Sequence, residues 1–123
     1  MWWVLGSLSL LAVLLTIGEG VAKEAGGGGT PAEYQKGEAK FKASCARCHG
    51  DRGVGTDHGP PLVHKIYEPN HHGDAAFQRA AASGVRAHHW KFGDMPRVEG
   101  VTPEDVDQIV QYVRWLQRQA GIM

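Results

Sequence analysis

The chain has 123 residues with 13 basic and 13 acidic side chains, which limits it to one domain beyond its N-terminal segment and leaves no basic stripe for nucleic acid. Removing the first 22 residues takes away only Glu19, so the remainder stays near neutral. Its apolar content is low for a domain of about a hundred residues, a size that buries barely enough surface to be stable, so a bound group inside would supply missing core.

Trp2 to Ile17 is an uncharged, almost wholly apolar run closed by Gly18-Glu19-Gly20. It is shorter than the roughly 20 residues of a full span and fits the core of an export signal. Gly20-Val21-Ala22 offers the small residues a signal peptidase reads, which places cleavage after Ala22. No Lys or Arg precedes the run, and this keeps an uncleaved membrane anchor through residues 2–17 as the alternative. Either outcome exports the rest, to be periplasmic and soluble or tethered. Lys23 to Pro31 contains Gly26-Gly27-Gly28-Gly29 and reads as a flexible linker. The expected division is therefore 1–22 signal or anchor, 23–31 linker and 32–123 folded domain.

Good helix formers from Ala32 to Cys48, with Tyr34, Gly37, Phe41, Ser44 or Cys45, and Cys48 at three-to-four spacing, predict a first helix. Gly37 costs up to ~1 kcal/mol there relative to Ala, and a helix that accepts this often has another backbone close against it. The helix delivers Cys45-Ala46-Arg47-Cys48-His49, a C-x-x-C-H motif holding both cysteines of the chain. That spacing is the haem attachment sequence: the two thiols add across the haem vinyl groups, and His49 gives its imidazole nitrogen to the iron. Three other uses of these residues compete. A structural zinc site needs four ligands, for which His71 and His72 would have to complete a Cys2His2 set. A thioredoxin-type redox pair expects a βαβ context that the flanks lack, and a disulfide across two residues closes too short a loop to constrain the unfolded chain much.

Gly50 to Asn70 is irregular, broken by glycines and by Pro60, Pro61 and Pro69. Within it, Gly59-Pro60-Pro61-Leu62 is either a simple turn or a rigid loop whose proline carbonyl accepts the second ring N–H of His49. Asp74 is the expected cap of a second helix running to about Gly84, anchored by Phe77. His88 to Pro96 reads as an ordered loop without helical or strand rhythm. Of the three methionines, Met1 initiates and Met123 ends the chain, so Met95, locked by Pro96, is the candidate second ligand to iron. Its thioether would raise the potential of a His-ligated haem; the alternative is a core filler. Thr102-Pro103-Glu104-Asp105 opens the last helix, with Thr102 as N-cap and Pro103 in the first turn. Val106, Ile109, Val110, Val113 and Leu116 form its apolar stripe, Tyr112 and Trp115 lie beside it, and Arg114 and Arg118 sit near its end.

The order and spacing of these motifs, from Tyr34 to Leu116, resemble a class I c-type cytochrome. The resemblance implies a small all-α fold whose N- and C-terminal helices cross around one haem c, covalent through Cys45 and Cys48 and ligated by His49 and Met95. It also implies that Pro60 accepts the hydrogen bond from His49, and that Tyr67 and Trp90 stand where donors to a haem propionate are often placed. With both axial positions filled, the implied function is a one-electron carrier between redox partner proteins rather than an enzyme. Two rivals are a haem-bearing subunit of a larger oxidoreductase complex and a haem or metal sensor. The sequence departs from a simple carrier in its histidines: His58, His64, His71, His72, His88 and His89 accompany His49. They are either solvated loop residues, a second metal site for copper or zinc, or a pH-sensitive docking surface.

Overall fold

The computed structural model describes residues 29–123, so the expected signal or anchor and most of the linker lie outside the described residues. Within them there are four α-helices, α1 (Ala32–Ser44), α2 (Ala46–His49), α3 (Asp74–Ser83) and α4 (Pro103–Gln119), with short 3-10 turns at Asp51–Gly53 and Lys65–Tyr67. No strand is named among them, and the all-α expectation holds. No described helix is long and apolar enough to cross a membrane.

α4 starts where its sequence dictates. The Thr102 hydroxyl accepts from the Asp105 N–H at 3.2 Å while the Asp105 carboxylate accepts from the Thr102 N–H at 3.1 Å, a reciprocal capping box. The helix then buries Val106, Ile109, Val110, Tyr112, Val113 and Leu116, chiefly against α1. Phe41 of α1 is fully buried, with its ring 5.6 Å from that of Tyr112. Tyr34 stacks on Trp115 at 5.7 Å, and Lys40 pairs with Asp105 beside the crossing. Gly37 marks the crossing point: a Cβ built there would stand 2.8 Å from the carbonyl carbon of Gln108 and 3.0 Å from the Cβ of Tyr112. Real side chains do not come this close, so the two backbones meet only because position 37 has none.

The first helix is not continuous to Cys48 as the periodicity predicts. Cys45 leaves helical geometry at φ −124° and ψ −36°, and α2 begins after it. The break lets the C-x-x-C-H segment turn inward as a separate helical turn, closed by the His49 N–H on the Cys45 carbonyl at 2.9 Å. Asp74 likewise differs from its expected role. Gly73 holds the N-cap position, and Asp74 is the first helical residue, accepting from Arg114 Nε at 3.0 Å. A buried guanidinium needs a counter-charge more than a helix start needs a side-chain cap.

Arg114 is 6% exposed, not the surface cation its place near the helix end suggests. It also donates to the Tyr67 carbonyl at 2.6 Å, the His72 carbonyl at 2.6 Å and Gln117 Oε1 at 2.8 Å. Gln117, fully buried, donates to the carbonyls of Leu62 and Tyr67 at 2.9 and 3.0 Å. This pair rivets the segment 62–72 to α4. Replacing Arg114 by Met keeps much of the stem's volume but strands two acceptors, the His72 carbonyl and Gln117 Oε1, while the Tyr67 carbonyl keeps its Gln117 bond; each costs about 1–3 kcal/mol when left unpaired in the interior. The expected loss is at least about 2 kcal/mol in denaturant unfolding. A loss within the ~0.5 kcal/mol typical of a neutral surface change would show that water reaches these carbonyls.

Candidate cofactor site

All four helices contribute to the wall of one cavity of about 1030 Å³, whose lining is mostly apolar and includes Leu62, Phe77, Val106 and Ile109. That is at the top of the range of roughly 300–1,000 Å³ found for small-molecule and cofactor sites, so it takes a large group. Cys45, Cys48, His49, Pro60, Tyr67, Trp90 and Met95 all line it.

His49 ends α2 and is 8% exposed. Its Nδ1–H donates to the Pro60 carbonyl at 2.9 Å. Burial holds its pKa below the usual imidazole value, partly opposed by the Pro60 bond. The ring is therefore neutral near pH 7, with its Nε2 lone pair left for a metal. Pro60 is held in place by its own loop: Thr56 Oγ1 donates to the Cys48 carbonyl at 2.6 Å, and the Thr56 N–H to the Gly59 carbonyl at 3.0 Å.

Cys45 and Cys48 are free thiols, the first half-buried and the second exposed. Burial, assisted by neighbouring Cys48, pushes the Cys45 thiol up to about 11. A redox or nucleophilic cysteine requires the opposite shift. Neither cysteine joins His71 and His72 in a metal-binding group among the described residues, which removes the Cys2His2 arrangement.

Met95 is half-buried, and its backbone is fixed by a contact that hydropathy patterning misses. It exchanges two hydrogen bonds with Val85, at 2.8 and 2.9 Å, in an isolated antiparallel bridge that closes the loop between them. Gly84, at φ +76°, permits this, because a Cβ there would lie 2.5 Å from the Met95 carbonyl oxygen. Asp94 adds a bond across the same loop from the Ala87 N–H at 2.8 Å. Gly84, expected only to end α3, was the available signal.

Tyr67 and Trp90 come together, but not as two separate donors. Trp90 Nε1–H is spent on the Tyr67 hydroxyl at 3.1 Å, leaving the Tyr67 O–H as the donor of the pair. Burial pushes the Tyr67 pKa up, against the lowering effect of the Trp90 bond, so the hydroxyl keeps its proton. His64 lies edge-on to Trp90 with ring centroids 5.1 Å apart, and its Nδ1 accepts from the Ile66 N–H at 3.1 Å.

A family model described as Cytochrome c matches residues 34–117. In comparisons with curated proteins and with solved structures, nothing matches.

Proposed function

The chain belongs to the cytochrome c family, which supports haem-based electron transfer through a covalently bound haem c, and from that premise we propose a monohaem, His/Met-ligated one-electron carrier of class I type. It works outside the cytoplasm, soluble or tethered through residues 2–17, and exchanges electrons with redox partner proteins. The observation that carries this reading is His49: a buried, neutral imidazole with its Nδ1 committed to Pro60, in the same cavity as two free thiols and Met95.

The residues present fit a haem. Cys45 and Cys48 supply both thiols of the attachment motif, and the large apolar cavity matches a macrocycle better than a small polar substrate. Haem, when bound, supplies one reversible electron. His49 would give Nε2 to the iron, and the Pro60 bond fixes its tautomer and orientation. Met95 would give the iron a soft thioether, a pairing that raises the potential. With both given by the protein, no coordination site would be left for a substrate, and electron transfer fits better than catalysis. Leu62, Phe77, Val106 and Ile109 exclude water and disfavour the more highly charged oxidised state. The Tyr67 hydroxyl, held by Trp90, is the proposed donor to a propionate.

Expression with haem-maturation machinery tests the proposal. The pigment should survive a denaturing gel, with a sharp low-spin spectrum when reduced and a sulfur-to-iron charge-transfer band when oxidised. Loss of haem on denaturation would overturn the covalent attachment, and a high-spin spectrum the Met95 ligation.

A further inference from the structure

Outside the proposed haem ligands, three histidines from two separate loops converge. His71, His72 and His89 each present one ring nitrogen, and these atoms all lie within 4.8 Å of one another. The Nε2 atoms of His71 and His89 are 3.3 Å apart. For a tetrahedral ion with metal–nitrogen bonds of about 2.0–2.1 Å, adjacent ligand nitrogens are separated by about 3.3 Å. The same distance is long for a hydrogen bond.

The third imidazole is prepared in the way metal-binding histidines usually are. His72 Nδ1–H donates to the Ile66 carbonyl at 2.6 Å, which leaves Nε2 as its free nitrogen. Its backbone is clamped from the other side, where the carbonyl accepts from buried Arg114 at 2.6 Å. His71 and His72 also donate their backbone N–H groups to the Glu68 carbonyl, at 3.0 and 2.8 Å. His89 stands on the loop closed by the Val85 bridge to Met95. Both loops are fixed by bonds other than those between the three rings, so the cluster is a consequence of two anchored backbones. His88 packs against His89 with ring centroids 4.2 Å apart, but its Nδ1 is bonded to the Arg86 carbonyl at 2.8 Å and it lies outside the three-nitrogen group.

We propose that His71, His72 and His89 bind one divalent late transition-metal ion, Cu²⁺ or Zn²⁺, at the edge of the haem cavity. The ligand set is three neutral imidazoles with no carboxylate, which suits copper and zinc rather than calcium or magnesium. Two of the three histidines are exposed, so a solvent molecule completes the coordination. The site uses none of the residues proposed to hold haem.

The test is metal retention by the haem-loaded protein. Chelator-treated holoprotein is given one equivalent of Cu²⁺ or Zn²⁺ and passed through gel filtration, and the metal is measured per haem. One equivalent should be retained, and the Cu²⁺ form should show nitrogen hyperfine structure in its EPR spectrum. His71→Ala and His89→Ala remove exposed ligands and should each weaken binding at least tenfold, with the haem spectrum unchanged. His58→Gln, at an exposed histidine outside the three-nitrogen group, should bind as the parent does. No retained metal in the parent, or retention that His71→Ala and His89→Ala leave untouched, would overturn the site. Because the haem spectrum is read in the same samples, failure of this site is distinguishable from failure of the haem assignment.

Discussion

Met95→Ala should turn a low-spin haem protein high-spin and lower its reduction potential on the order of 0.1 V or more, within the roughly 0.8 V over which axial ligands and their surroundings tune haem proteins. The argument starts from the backbone. Met95 is pinned by its two hydrogen bonds to Val85, and Gly84 allows that approach, so truncating the side chain removes the thioether without releasing the loop that carried it. Among the described residues no other methionine is placed to substitute, since Met123 is half exposed and does not line the cavity. An open position then admits water or an added ligand such as azide, and turnover of hydrogen peroxide should rise. Met95→His should restore the low-spin spectrum without restoring the potential, because imidazole lacks the thioether's preference for the reduced state. Spectroelectrochemical titration of the three proteins decides the matter. A potential that hardly moves in Met95→Ala would remove Met95 as a ligand.

Where the chemistry is local, it was legible. Cys45, Cys48 and His49 lie within five residues, and a covalent attachment motif must be contiguous. The α4 stripe was legible because helical periodicity sorts buried from exposed positions without knowledge of the partner. Gly37 announced a close crossing by being a poor helix former in a helix. What stayed hidden depends on residues distant in sequence. Arg114 reads as an ordinary cation near a helix end; only the fold brings Asp74 and the carbonyls of Tyr67 and His72 around it. The bridge between Val85 and Met95 has two bonds and no alternating pattern to betray it. The surplus histidines were visible as a count, with His71-His72 and His88-His89 as adjacent pairs, yet nothing in the sequence shows that the fold brings His89 to the first pair. The break at Cys45 is hidden for a related reason: the helix-forming residues on either side continue, and tertiary packing overrides their propensity.

Gly37→Ala should destabilise the protein by about 3 kcal/mol, although on an isolated helix the same change would stabilise by up to about 1 kcal/mol. The sign is decided by what the new methyl meets. Its obstacles are the carbonyl carbon of Gln108 and the Cβ of Tyr112, at 2.8 and 3.0 Å, neither of which can swing aside as the end of a long side chain would. The helices must separate, and separation loosens the packing of Phe41 against Tyr112 and of Tyr34 against Trp115. A loss of this size is a large share of the roughly 5–15 kcal/mol that holds a typical domain folded. Denaturant unfolding of the haem-loaded protein is the measurement, with Lys36→Ala on the exposed side of α1 expected to stay within about 0.5 kcal/mol of the parent. A Gly37→Ala protein as stable as the parent would mean that α1 and α4 do not approach backbone to backbone. A loss confined to Gly37→Ala would place the glycine's role in tertiary contact, since α1 by itself gains from the substitution.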